Sequence, residues 1–103
     1  MNGDFAVDQA RFLAERVARE AGTDLRAQVR LAWRLAFAVT PRDAELDDAL
    51  GFIANQRAFY DQHPVAPAKV AKGRPDPLTD PALLALANFC HALLSSNRFL
   101  YVN

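Results

Sequence analysis

The sequence predicts an all-α fold: a small bundle of four main helices, with a Pro-rich loop before the last helix and an extended C-terminal tail. Three observations carry this. Apolar residues recur at three- and four-residue spacing in four segments, a capping residue stands at the start of each, and neither strand pairing nor an internal repeat is evident. The helices are expected at about 4–21, 24–38, 41–62 and 81–96, with the loop at about 63–80, all within one domain.

The first helix is expected to open on Asp4 as its cap and to bury Phe5, Leu13, Val17 and Ala21, with Phe12 and Ala18 alongside. Gly22 is placed to stop it in a left-handed conformation. Thr23 or Asp24 caps the second helix, whose face Leu25, Val29, Ala32, Trp33 and Ala36 follows helical spacing, with Trp33 as the main anchor. Thr40-Pro41-Arg42-Asp43 reads as a hydroxyl cap, a proline whose missing N–H costs nothing in a first turn, and acids that complement the helix dipole. The third helix is therefore expected from Pro41. Its buried face uses Leu46, Ala49, Leu50, Ile53 and Ala54, and the pattern runs on through Arg57 to Phe59 and Tyr60 until His63-Pro64 ends it. Gly51 weakens this helix by up to ~1 kcal/mol relative to alanine, which marks either close packing by a neighbour or simple tolerance.

The loop holds Pro64, Pro67, Pro75 and Pro77 together with Lys69, Lys72, Gly73 and Arg74. A loop of this length is uncommon inside a compact domain, so it is either a mobile insertion or a contact surface. Asp80 then caps the fourth helix, with Pro81 in its first turn. From Ala82 to Leu94 only Asn88 and His91 are polar, and a helix apolar nearly all round is one that other elements surround. It is the expected central helix, with Leu83, Leu86, Cys90 and Leu94 inside. Ser95, Ser96 and Asn97 read as its fraying end, and Phe99–Val102 as a tail folded back over the domain.

Composition excludes several function classes. Hydrophobic residues make up 51% of the 103 and charged residues 23%, the balance of a folding globular domain and not of a disordered chain. Twelve basic residues offset twelve acidic ones, so no summed field favours nucleic acid or an anionic surface. Cys90 is the sole cysteine, which rules out an internal disulfide and a thiolate-rich zinc site. No apolar run is long enough for a membrane span, and the opening MNGDFAVDQA lacks the basic-then-apolar order of a signal peptide.

Two groups of polar residues are candidate sites. Asn88, His91 and Ser95, at i, i+3 and i+7, form one polar stripe on the fourth helix. Either His91 acts as a base or ligand with the other two orienting it, or the stripe faces solvent and hydrogen-bonds to a neighbouring helix. Arg26, Arg30 and Arg34 form an i, i+4, i+8 row on the second helix, while Asp43, Glu45, Asp47 and Asp48 crowd the start of the third. The row is either an anion clamp or a set of solvated or interhelix charges. Cys90 and His91 are adjacent, so they point about 100 degrees apart on a helix and cannot readily share a metal ion. Ala87 stands where a C-x-x-C-H haem motif would need its first cysteine. No metal, cofactor or catalytic residue is expected, and a ligand platform of Trp33, Tyr60 and Tyr101 competes with a core role for the same aromatics.

The segments GDFAVDQARFLAERV, LAWRLAFAVTPRDAELDDALGFI and LANFCHALLSSNRFLYVN together resemble the last hundred or so residues of the planctomycete cytochrome-c-associated family, large multidomain proteins with a C-terminal region of unknown function. The resemblance covers nearly the whole chain outside the Pro-rich loop, and CHALLSSNRFLYVN is its most specific part. Three positions depart from it: Ser95 and Arg98 stand where an Asn and a Glu are familiar, and Ala38 where a glycine commonly precedes the TP motif. The resemblance implies a piece of a longer exported or periplasmic protein whose haem-type domain lies upstream, and it carries over no catalytic residues. The expected function is a non-catalytic helical accessory or interaction module that packs against other domains of its parent or a protein partner. The alternative is a share in a hydrolase-like enzyme, with His91 contributing to a cleft that other domains complete.

Overall fold

The computed structural model describes residues 3–67, 72–73 and 76–96, and within these the chain is all-α: α1 (Gly3–Ala21), α2 (Leu25–Phe37), α3 (Asp43–Gln62) and α4 (Pro81–Leu94). The expected tail Phe99–Val102, the turn at Asn97, and Lys69 and Arg74 of the loop lie outside the described residues.

The helix ends follow capping chemistry. Asp24 Oδ1 accepts a hydrogen bond from the Arg26 backbone N–H at 3.2 Å, and Asp80 Oδ1 accepts from Ala82 N–H at 3.2 Å, so both aspartates satisfy a donor that the helix leaves open. Gly22 ends α1 at φ 72, a conformation that glycine adopts without penalty, and its N–H donates to the Ala18 carbonyl at 3.2 Å. Ala38 ends α2 at φ 61, left-handed backbone in a residue with a Cβ.

Two expected boundaries move. α1 is described from Gly3, so Asp4 lies within the helix and not before it. α3 begins at Asp43 with Arg42 as its cap, two residues beyond the Thr40-Pro41 start that the sequence favours. The reason is Glu45, whose Oε1 accepts from the Arg42 backbone N–H at 2.9 Å and from its guanidinium Nε at 3.2 Å, closing the first turn from within. A cation at the cap with an acid three residues on replaces the hydroxyl.

The fourth helix is the centre of the molecule. It packs against all three others, most extensively against α1 and α3, which make no close backbone approach to each other and so flank it on two sides. Ala85, Leu86, Phe89, Cys90 and Leu93 are buried, while Leu83 and Leu94 are half-buried. Val29, Ala32 and Trp33 close the core from α2, with Trp33 set edge-on to Phe37 at 5.3 Å between ring centres.

The largest departure from expectation is the face that α1 buries. Ala6, Ala10, Ala14 and Val17 are inside, whereas Phe5 is 56% and Phe12 67% exposed. Phe12 lies five residues from Val17, about 140 degrees around a helix, so one turn of α1 cannot bury both. On α3, Leu46, Ala49 and Ile53 are buried as expected, but Ala54 and Phe59 are exposed. Gly51 is exposed with nothing within 4 Å of where a Cβ would sit, so tolerance and not close packing explains it.

Candidate functional site

The three residues of the expected polar stripe have separate roles. Asn88 is half-buried, and its amide donates to Gln56 Oε1 at 2.8 Å and to the Tyr60 hydroxyl at 2.7 Å, both on α3. Both amide protons are thus used to tie α4 to α3 across otherwise apolar packing, where an unmet donor would be costly. Ser95 is exposed and caps α4 through its backbone, its N–H donating to the His91 carbonyl at 3.0 Å. It does not join the other two.

His91 and Asn88 do meet in one cleft of about 370 Å³ between α1 and α4. Val7, Ala10, Leu84 and Ala87 supply its apolar walls, Asp8 and Arg11 bring an acid and a base from α1, and Pro77 and Leu78 line it from the segment before α4. Arg11 organises this corner. Its Nε pairs with Glu15 at 3.2 Å, and its Nη1 donates to the backbone carbonyl of Asp76, pinning that segment beside α1 across 65 residues of sequence. His91 is half-buried. None of the described lining residues is a serine, threonine or cysteine; the ionisable side chains of the cleft are the Arg11 guanidinium, the Asp8 carboxylate and the His91 imidazole.

Sequence reading missed four participants here: Asp8 and Arg11, which share a face of α1 at i, i+3, and Gln56 and Tyr60, which share one of α3 at i, i+4. Those spacings are visible in the sequence. What is invisible is that the two faces converge on Asn88 and His91.

The remaining candidates are placed apart from this cleft. Arg26, Arg30 and Arg34 are exposed and form no ion pair among the described residues, while Glu45 pairs with Arg42, so the row and the acids at the start of α3 are not one clamp. Cys90 is fully buried, and desolvation raises its thiol from 9.0 to about 12, which leaves it protonated and a poor nucleophile at neutral pH. His63 accompanies the end of α3, stacked on Phe59 at 4.4 Å with Nδ1 3.0 Å from the Phe59 carbonyl. Trp33 is buried and Tyr60 is engaged by Asn88, so these two build no shared platform, and Tyr101 lies outside the described residues.

Among the described residues, no group of three or more His, Cys, Asp or Glu is placed to hold a metal ion, and no helix is long and apolar enough to cross a membrane. No family model, curated protein or solved structure matches the chain.

Proposed function

We propose that this chain is a non-catalytic helical interaction module, the C-terminal piece of a longer exported multidomain protein of the planctomycete cytochrome-c-associated kind that its sequence resembles. One observation carries the reading: α1 turns its two phenylalanines outward. Phe5 and Phe12 are a helical repeat of seven residues apart, hence on one face, and both are more than half exposed. Beside Phe12, a hollow of about 270 Å³ runs to Leu35, Ala36 and Leu94. Full burial of a phenylalanine is worth about 1.5–3 kcal/mol, so the exposed ring of Phe12 leaves that stabilisation for a partner to supply.

The test places a photo-activatable cross-linking residue at position 12, and at position 47 on the exposed acidic face of α3 as control, in the protein as its host makes it. Reproducible cross-links from position 12 to an upstream segment of the same polypeptide, or to one partner protein, support the reading. Equal and diffuse yields from both positions contradict it.

The second reading, a share in a hydrolase-like enzyme, rests on the convergence of His91, Asp8 and Arg11 on one cleft. Replacing His91 by Gln in the full-length parent tests it. Loss of a hydrolytic activity with unchanged thermal stability supports it, and unchanged activity removes it.

A further inference from the structure

We infer that the basic face of α2 docks on the acidic flank of α3 in a second copy of this chain, head to tail. The two helices divide the charge of the molecule. α2 carries Arg26, Arg30 and Arg34 and no acid, whereas α3 sets Asp43, Glu45, Asp47, Asp48 and Asp61 against Arg57. Over the whole chain twelve basic residues cancel twelve acidic ones, so copies meet without net repulsion and the separated patches decide how they meet.

Both patches are open. Arg26, Arg30 and Arg34 are exposed, as are Asp43 and Asp47, and none of these five side chains is in an ion pair among the described residues. Their spacing matches. The arginines stand four residues, about 6 Å, apart along α2, and so do the two aspartates along α3, so neighbouring guanidinium groups reach neighbouring carboxylates when two such helices lie side by side. The aspartate flank continues through Gly51 and Ala54, both small and exposed, and nothing lies within 4 Å of where a Gly51 Cβ would sit. A second helix can therefore lie close, with the methylene stems of its arginines over these residues.

The pairing is between copies and not within one. Glu45 and Asp48 line a hollow together with Trp33 and Phe37, so that side of α3 is turned to α2 of the same chain. Asp43 and Asp47 each lie about 160 degrees from Glu45 around the helix, on the side facing away. Because the basic and acidic faces are different surfaces, the contact runs on from copy to copy instead of closing as a twofold dimer. A phosphate backbone fits less well: the row spans only about 12 Å, and a longer polyanion laid along α2 meets the carboxylates of Glu45 and Asp48 beside Phe37. Exposed ion pairs are individually weak, so the contact is salt-sensitive: the screening length is about 30 Å in 0.01 M salt, longer than the row, and about 8 Å at 0.15 M, shorter than it.

Sedimentation velocity of the full-length chain in about 0.01 M and about 0.15 M salt tests the inference. The weight-average mass is expected to climb with concentration in low salt and to return to that of one chain in high salt. Replacing Arg26, Arg30 and Arg34 together by Gln erases the basic face, and Asp43→Asn with Asp47→Asn erases the acidic one, so each variant alone is expected to remain a single chain. Mixed one to one, they are expected to form a heterodimer and nothing larger, since each retains the face the other lacks. If the asparagine pair lowers the helical circular-dichroism signal, Asp47→Asn alone takes its place in both experiments. A wild type that stays one chain in low salt overturns the proposal, as does self-association that the glutamine variant retains, or a mixture that stays monomeric. Binding of a single-stranded oligonucleotide by a chain that does not self-associate, lost in the glutamine variant, overturns it in favour of a phosphate-backbone ligand. Neither face includes Phe12, so the two readings fail separately: a cross-linker at position 47 is expected to capture a second copy of this chain, whatever position 12 captures.

Discussion

The two helices that flank α4 differ in the side chains they bury, mostly alanine on α1 and larger aliphatic groups on α3. α1 presents Ala6, Ala10, Ala14 and Val17 to the interior and turns Phe5 and Phe12 to solvent, whereas α3 presents Leu46, Ala49 and Ile53 inward. Beyond Ile53, the α3 seam continues as a polar bridge through Gln56, Tyr60 and Asn88. The difference is one of mechanism. Small side chains let two backbones approach, so the α1 seam gains many modest dispersion contacts, while the α3 seam relies on large buried groups and one directional link that fixes its register. The exposed phenylalanines follow from the face that α1 buries: with Ala6, Ala10, Ala14 and Val17 inward, Phe5 and Phe12 are left on the outer side.

The comparison can be broken at four points. Ile53→Ala removes a large group from the α3 seam and is expected to cost about 2–5 kcal/mol, the largest effect of the set, seen in chemical denaturation as a lower midpoint with an unchanged slope. Ala14→Leu adds volume where none is free, since Ala14 is fully buried, and is expected to cost about 1–3 kcal/mol. A neutral or stabilising result would show that the α1 seam has slack. Asn88→Ala leaves Gln56 and Tyr60 without their shared donor and is expected to cost about 1 kcal/mol, a fall in melting temperature of roughly 4–8 °C. Phe12→Ser is expected to stay within about 0.5 kcal/mol in the isolated chain, because its side chain already meets water. A large loss there would place Phe12 in the core and reverse the contrast between the flanks.

Much of the fold was legible in local chemistry. Asp80 announces its helix as a carboxylate before a helical run, the α2 cap narrows to Thr23 or Asp24 with Asp24 filling it, and Gly22 announces a stop because glycine takes left-handed backbone freely. The centrality of α4 follows from its near absence of polar residues, which leaves no side suited to water. What escaped needed three-dimensional information. α1 carries two apolar stripes, and periodicity cannot say which one a neighbour will cover; hydrophobicity favours Phe5 and Phe12, but close packing on α4 favours the alanines. At α3, Thr40-Pro41 looks the stronger start, and only the reach of Glu45 back to Arg42 shows the helix beginning later. For the candidate site, the polarity of Asn88 and His91 was plain from sequence. Their division of labour was not, because Asn88 finds partners 28 and 32 residues away and His91 faces a helix from the other end of the chain.

The central claim is that α4 is enclosed between two flanks that hold it by different means, and native-state amide hydrogen exchange of the intact chain tests it most directly. The account predicts that the amides of Leu86, Phe89 and Cys90 exchange only through global unfolding, with a free energy equal to that from denaturation and above that of the exposed-face amides of Arg26 and Arg30. Exchange of the α4 amides through local opening, as fast as those on α2, would contradict it.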